Sequence, residues 1–126
     1  MSNGICLIAQ NNSTTNYVKQ AYALALSILA KSPNTNISLI TDDDVPYDVF
    51  DKIIPIPWTD RANNTDWKIE NRWKVYHVTP YRNTVVFDVD MLVLDNIDYV
   101  WNNYYDLVFT NSVKTYRNEI VTNRYY

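Results

Sequence analysis

Residues 83–95 have the sequence Asn-Thr-Val-Val-Phe-Asp-Val-Asp-Met-Leu-Val-Leu-Asp, in which two carboxylates interrupt an apolar run. The part from Thr84 to Phe87 is short, β-branched and aromatic, which predicts a strand buried on both faces of a sheet. In an extended chain, residues two apart point to the same side and lie roughly 6.5 to 7 Å apart, so we expect Asp88 and Asp90 to converge on one cation. Acids in so apolar a setting need a partner charge, which a hard divalent cation such as Mg²⁺ or Mn²⁺ would supply.

The bulk composition predicts one globular domain, residues 1–126. A chain of this length buries about two thirds of the surface that its unfolded form exposes. No apolar run approaches the roughly 18 residues of a membrane span, and the N-terminus has no basic segment of a signal peptide, so we expect a cytoplasmic protein. The net charge is -3 and no basic stripe is present, which argues against a nucleic-acid partner.

The chain contains a single glycine, Gly4. The Walker A loop and the dinucleotide-binding GxGxxG turn both need several glycines to bring the backbone close to phosphates. Both kinds of phosphate loop are therefore excluded. If the chain binds a nucleotide, it must hold the diphosphate through a metal and side chains.

The hydrophobic pattern alternates between strand-like and helix-like segments. Apolar residues between Asn16 and Lys31 recur with the 3.6-residue period of a helix that lies on a sheet. Short apolar runs and further periodic segments predict strands at 4–9, 37–40, 53–56, 84–87 and 107–110, and helices at 46–51, 66–81 and 99–103. This alternation predicts an α/β fold with an open, mostly parallel twisted sheet and flanking helices. Ligands of such sheets bind at the carboxyl ends of the strands.

Together these features resemble the N-terminal, donor-binding half of the GT-A glycosyltransferases, especially the glycogenin-like and bacterial galactosyltransferase group, family 8. Residues 87–98, Phe-Asp-Val-Asp-Met-Leu-Val-Leu-Asp-Asn-Ile-Asp, resemble the Asp-x-Asp signature of that family with its trailing hydrophobic residues. Two further features resemble that family: residues 17–21, Tyr-Val-Lys-Gln-Ala, and a basic residue, Arg72, that precedes Asp88 by sixteen positions. The resemblance covers about residues 4–109 and implies a Rossmann-like GT-A sheet in a minimal, truncated form.

The resemblance also implies a nucleoside site at the end of the first strand. Ala9, Gln10 and Asn11 would contact the uracil and the ribose of UDP, and Tyr17 would stack on the base. The nucleotide and its sugar conjugate are the partners that the family implies.

The phosphate side of the implied site lies at the acidic pair. Asp88 and Asp90 would hold Mn²⁺, or Mg²⁺, against the diphosphate of UDP, with Val89 between them in the donor site. Arg72 would lie beside the diphosphate or the donor sugar, and Lys74 has weaker support as a phosphate contact. The implied activity is transfer of a hexose from a UDP-sugar, or slow hydrolysis of that donor.

The chain departs from the family in two respects. Family members continue well beyond the Asp-x-Asp strand and supply a further metal ligand, usually a histidine, whereas the single histidine here, His77, precedes the acidic pair. The sequence thus resembles a donor-binding half without its acceptor half, and apolar surface left uncovered would favour a homodimer.

Two alternatives to a glycosyltransferase follow from the same residues. One is a non-catalytic module that binds a UDP-sugar and needs a partner for the acceptor site. The other is a phosphotransferase of the haloacid dehalogenase type, whose motif also contains Asp-x-Asp. That class needs a further acidic pair downstream, and only Asp106 and Glu119 follow Asp98 here, which makes it the remoter alternative.

Overall fold

The computed structural model describes residues 2–57 and 74–103 and, further along the chain, two short strands at 112–114 and 120–122. The described elements follow one another in the order β1 (Asn3–Ile8), α1 (Tyr17–Lys31), β2 (Ile37–Ile40), β3 (Ile53–Ile54), α2 (Val75–Val78), β4 (Asn83–Phe87), α3 (Val100–Asn103), β5 (Ser112–Lys114) and β6 (Ile120–Thr122). Strands β5 and β6 form an antiparallel pair of their own.

The other four strands form one sheet in which every neighbouring pair is parallel. The strand order is β3-β2-β1-β4, and Ile5 of β1 lies between Ile37 of β2 and Val85 of β4. This confirms the predicted α/β fold with a parallel sheet. The chain moves outward from β1 to β2 and β3 and then returns to place β4 on the other side of β1, so the strand order reverses at β1.

Helix α1 forms where its sequence period predicts it. The side chain of Asn16 caps the helix by accepting a hydrogen bond from the backbone N–H of Lys19, which satisfies one of the N–H groups that a helix start leaves without a partner. The helix ends at Lys31, before Ser32 and Pro33. Its buried side chains lie on one face of the helix and are Val18, Ala21, Leu24, Ala25 and Ile28.

Helix α1 covers one face of the sheet, and the other face has a smaller core of its own. On the α1 face the buried strand residues include Ile5, Leu7 and Leu39. The second core consists of Cys6, Ile40, Ile56, Val75 and Tyr81. Because residues on a strand alternate between faces, β1 contributes to both cores.

A close approach between Gly4 and Tyr81 shapes the second face. Tyr81 is buried, and its hydroxyl donates to Asp51 Oδ2 at 2.9 Å and lies 2.6 Å from Ser38 Oγ. The ring lies so close to Gly4 that a Cβ atom at this position would overlap the ring carbons. The single glycine of the chain therefore makes room for an aromatic ring.

The structure corrects two predictions about local structure. Residues 46–51 do not form a helix. The structure assigns this segment neither a helix nor a strand. Its half-buried Val45, Tyr47 and Val49 alternate with exposed residues at 44, 46 and 48, because the three half-buried side chains pack against the core of the α1 face.

Strand β4 is also less buried than predicted. Val86 is 48% exposed and Asn83 is exposed, while β2 is buried throughout. Within the described part of the sheet β4 has β1 as its one neighbour and is therefore an edge strand.

Three further predictions are resolved in part. The predicted third strand is confirmed only for Ile53 and Ile54, and α3 confirms most of the predicted helix at 99–103. Of the helix predicted at 66–81 the structure describes α2 and the residues around it, while 66–73 and the strand at 107–110 lie outside the described residues. Within the described ranges, no helix is long and apolar enough to cross a membrane.

Candidate functional site

The acidic pair lies at the carboxyl end of β4. The strand ends at Phe87, and Asp88 and Asp90 follow it as exposed residues. Val89, between them, is half-buried and packs against the core on the α1 face. Residues 89 and 90 form a turn, so the expectation that an extended chain aligns the two carboxylates is wrong. Both acids nevertheless lie away from the core, because Val89 points into it.

The exposure of the pair also corrects the first argument for a cation. A carboxylate in water is hydrated and needs no partner charge, so the desolvation cost assumed for an apolar setting does not arise at Asp88 or Asp90. The apolar residues that follow are also more exposed than the sequence suggests: Leu92 is 64% and Leu94 is 82% exposed, and Met91 is exposed as well. A cation site at this position must therefore be argued from its location in the sheet.

The location is the point at which the strand order reverses. Leu7 of β1 pairs with Phe87 of β4, so the residues after β1 and the acidic pair leave adjacent strands at the same edge of the sheet. In open α/β sheets, ligands bind in the crevice outside the carboxyl ends of the strands at such a reversal. The structure thus brings the predicted nucleoside segment and the predicted metal ligands to one edge.

The residues after β1 are held firmly in place. Ala9 is buried, and its backbone N–H donates to the carbonyl oxygen of Ile40 at 3.0 Å. The backbone N–H of Asn11 donates to Asp43 Oδ2 at 2.7 Å, and Asn11 Oδ1 accepts from the N–H of Val18 at 3.0 Å. Asn11 therefore joins the end of β1 to the β2 end and to the first turn of α1, while Gln10 beside it is half-buried.

Asp43, shortly after the end of β2, also contributes to this edge. Its carboxylate accepts from Asn11 and lies 3.5 Å from Thr41 Oγ1, and the neighbouring Asp42 accepts from the N–H of Ile56 at 3.0 Å. Both acids therefore act as connectors between loops. The signal available in the sequence was their position directly after an apolar strand.

The loop at residues 11–16 is folded on itself and borders an open depression of about 350 Å³. Asn12 Oδ1 accepts from the backbone N–H groups of Thr14 and Thr15 at 2.9 and 2.8 Å. Near the start of α1, the N–H groups of Val18 and Lys19 are satisfied by Asn11 and Asn16. A phosphate usually binds at a helix start through such N–H groups, and at α1 these two are already occupied.

Tyr17 is the first residue of α1 and is half-buried against the core of the α1 face. Part of its ring therefore supports the fold. Its stacking on a base stays a prediction. Arg72, the predicted phosphate neighbour, lies outside the described residues. The weaker phosphate candidate Lys74 is wrong, because its side chain is 1% exposed and its Nζ donates to the carbonyl oxygen of Pro57 at 3.1 Å.

The segment that follows the acidic pair, residues 91–98, returns along α1, and we call it the strap. The N–H of Val93 donates to Ser27 Oγ at 2.9 Å, and the N–H of Ile97 donates to Ser32 Oγ at 3.1 Å. Val93 and Ile97 also pack against the core of the α1 face. No sequence pattern predicts these anchors, because they join residues more than sixty positions apart.

The residues at this edge fit a cation that a substrate also coordinates. The part of the chain that the structure describes contains no group of three or more His, Cys, Asp or Glu side chains arranged to hold a metal. Mg²⁺ and similar hard cations are commonly held by one or two carboxylates and by the phosphates of a substrate. Asp88 and Asp90 meet that requirement.

Comparison with models of protein families, with curated proteins and with solved structures finds no match for this chain.

Proposed function

We propose that this chain binds UDP or a UDP-sugar through Mn²⁺ or Mg²⁺ and, as a small GT-A glycosyltransferase, transfers the sugar or slowly hydrolyses the donor. One observation carries the proposal: the carboxyl ends of β1 and β4 are neighbours where the strand order reverses, and Asp88 and Asp90 are exposed at that place. The described order β3-β2-β1-β4 equals the first four positions of the Rossmann order 3-2-1-4-5-6, which supports a Rossmann-like GT-A sheet.

The way in which the diphosphate is held follows from what the chain offers. Its one glycine lies inside β1, so no glycine-rich loop can approach the phosphates. The N–H groups of Val18 and Lys19 near the start of α1 are already bonded to asparagine side chains. A cation between the diphosphate and the two carboxylates would hold the phosphates without a glycine-rich loop and without these two N–H groups.

The nucleoside would lie over the end of β1. Ala9 is fixed by its bond to Ile40, and Asn11 is fixed by Asp43 and Val18, so this segment offers a rigid surface for the uracil and the ribose. Tyr17 begins the helix next to it and would stack on the base. The side chain of Val89 packs in the core, so its contact with the donor would use the backbone.

The chemistry of transfer depends on the departure of UDP. The cation, when bound, would stabilise the charge that develops on the leaving diphosphate. Asp88 and Asp90 would hold it where the glycosidic bond breaks, and Arg72 would add a fixed positive charge beside the phosphates. The anomeric carbon passes through an oxocarbenium-like state, so easing the loss of UDP contributes much of the rate.

Replacement of Asp90 by asparagine tests the proposal. Asp90→Asn removes one anionic ligand, so we expect the affinity for UDP in the presence of Mn²⁺ to fall by at least about tenfold, the lower end of the loss known for partners of metal ligands. The affinity for UDP without metal should not change. Isothermal titration of the chain with UDP, with and without Mn²⁺, measures both quantities.

A matched control separates the effect from a change in net charge. Asp48→Asn removes a carboxylate that is also exposed but lies on the segment before β3. This variant should leave the Mn²⁺ dependence of UDP binding unchanged. Binding of UDP that is independent of metal in the unaltered chain, or equal losses in both variants, would contradict the proposal.

The same carboxylates would serve a module that binds a UDP-sugar without transfer. The two functions differ in their products. A glycosyltransferase releases UDP from UDP-glucose or UDP-galactose with Mn²⁺, faster when a suitable acceptor sugar is present, and a binding module releases none. An assay of UDP release with each donor, with and without sugar acceptors, therefore decides between them.

A further inference from the structure

The hydroxyl groups of Ser27 in α1 and of Ser32, the C-cap residue of α1, hold the backbone of the strap. Ser27 Oγ accepts from the N–H of Val93 at 2.9 Å, Ser32 Oγ accepts from the N–H of Ile97 at 3.1 Å, and the side-chain amide of Asn96 donates to the carbonyl oxygen of Lys31 at 3.1 Å. The strap is neither a helix nor a strand, so its backbone lacks the regular hydrogen bonds of those elements and bonds to these groups instead.

Ser27 is oriented to accept. Its hydroxyl donates to the carbonyl oxygen of Leu24 at 2.7 Å, which directs an oxygen lone pair toward Val93, and the side chain is half-buried. Removing this hydroxyl would leave the N–H of Val93 without its acceptor.

The anchor lies close to the acidic pair. Val93 follows Asp90 by three residues, and Val89 precedes Asp90 by one. Val89 and Val93 both pack against the core of the α1 face, so the turn that carries Asp90 is fixed on both sides. The second of these fixed points depends on Ser27, which is 66 residues away in sequence.

We infer that Ser27 is a positioning residue for the cation site: by holding Val93 it keeps the carboxylate of Asp90 where it can share a cation with Asp88. The inference rests on the proposed function, since it assigns a role within the same metal site. A site fixed in advance binds its ligand without the cost of ordering the chain.

The test compares Ser27→Ala with Ser32→Ala in the 126-residue chain. Each variant removes one hydroxyl from an α1-to-strap bond, but Ile97, the partner of Ser32, is four residues further from Asp90 than Val93 is. We expect Ser27→Ala to weaken Mn²⁺ binding by about tenfold and Ser32→Ala to weaken it much less. Free Mn²⁺, measured by electron paramagnetic resonance at saturating UDP with and without the chain, gives the affinity after the Mn²⁺ that UDP itself binds is subtracted.

Two further variants keep the test informative. Ser27→Thr retains a hydroxyl and should have the Mn²⁺ affinity of the unaltered chain. Ser27→Cys keeps the size of the side chain but offers only a weak acceptor, so it should lose Mn²⁺ affinity as Ser27→Ala does. The cysteine variant gives this result even if the alanine variant folds poorly. Thermal unfolding and UDP binding without metal are measured alongside, because a general loosening of the fold changes these two and metal binding together.

The outcomes separate the two proposals. If UDP binding to the unaltered chain does not depend on Mn²⁺, the proposed function fails and the role of Ser27 fails with it. If the unaltered chain needs Mn²⁺ but Ser27→Ala binds it equally well, or if both serine variants lose the same affinity, the metal site stands and the role of Ser27 is overturned. A selective loss in Ser27→Ala that Ser27→Thr restores supports the inference.

Discussion

The ring of Tyr81 packs directly against the backbone of Gly4. The ring is held at its hydroxyl by Ser38 and Asp51, so it cannot swing away from β1. Because a methyl group on Gly4 would overlap the ring, we expect Gly4→Ala to lower the free energy of unfolding by about 1–3 kcal/mol, the usual cost of an overpacked core. Urea unfolding at neutral pH measures it.

A second substitution shows whether the ring is the cause. In a Tyr81→Ala background the overlap is gone, and alanine is favoured over glycine within a strand by about 0.5–1 kcal/mol. Gly4→Ala should then be neutral or stabilising. An equal destabilisation in both backgrounds would mean that the backbone at Gly4, rather than Tyr81, opposes the side chain.

The position of single residues was predictable where sequence neighbours decide it. The placement of Asp88 at the end of an apolar strand follows from local sequence, and the structure confirms it. Its exposure, the burial of Lys74 and the packing of Tyr81 on Gly4 depend on segments distant in the chain. No pattern of adjacent residues reports such contacts.

At the scale of elements, the start of α1 offers a direct test. Asn16 Oδ1 accepts from the N–H of Lys19 at 3.0 Å. Replacing an N-cap asparagine by alanine removes this bond and costs about 0.5–2 kcal/mol. We therefore expect Asn16→Ala to lower the free energy of unfolding by about 1 kcal/mol, and thermal or urea unfolding monitored by circular dichroism measures it.

Ser13→Ala serves as the control for this prediction. Ser13 is exposed in the same loop, so its replacement should leave stability within about 0.5 kcal/mol of the unaltered chain. If Asn16→Ala were no more destabilising than Ser13→Ala, the cap would contribute nothing measurable.

Helices and strands were predictable where the hydrophobic period of their own sequence determines them. Helix α1 has five buried positions on one face of the helix, and its bounds were predicted to within one residue. The segment at 46–51 was predicted as a helix but forms none, and Val45, Tyr47 and Val49 pack against a core that other elements build. The strap is held by Ser27 of α1 and by Ser32 at the C-cap of that helix, which the sequence of the strap itself does not indicate.

At the scale of the whole molecule, we expect the fold to lose stability at alkaline pH. Burial raises the pKa of the Tyr81 phenol above its ordinary value of about 10, and Asp51 nearby adds to the shift; burial also raises the pKa of the Cys6 thiol above 9.0. In the unfolded chain these groups lose their protons at lower pH than in the folded chain. Their contribution to stability is thus complete below about pH 9 and declines as the pH rises beyond 10.

Tyr81→Phe isolates the tyrosine part of this decline. We expect the unaltered chain to lose more stability between pH 8 and pH 10.5 than the Tyr81→Phe variant does, with the variant less stable than the unaltered chain at pH 8 because it lacks two hydrogen bonds. Cys6 is present in both proteins, so its effect cancels in the comparison. Equal losses over this range, measured by urea unfolding, would refute the assignment to Tyr81.

The sheet as a whole was predictable in type but not in order. Alternating strand and helix patterns predicted parallel pairing, and all described neighbours in the four-stranded sheet are parallel. The alternation did not indicate that β4 lies beside β1 rather than beside β3. The strand order brings the segments that carry Asn11 and Asp88 to the same end of neighbouring strands.

The place of β1 between β2 and β4 also constrains the order in which the chain can fold. Asn3 pairs with Asn83, 80 residues away, whereas Ile5 pairs with Ile37, 32 residues away. Closing the longer loop costs about 0.8 kcal/mol more in chain entropy, and during synthesis β1 must wait until residue 87 has left the ribosome. Until then the nascent chain presents one open edge of β1, a strand whose four central residues are buried in the folded chain, and a chaperone would have to shield that edge.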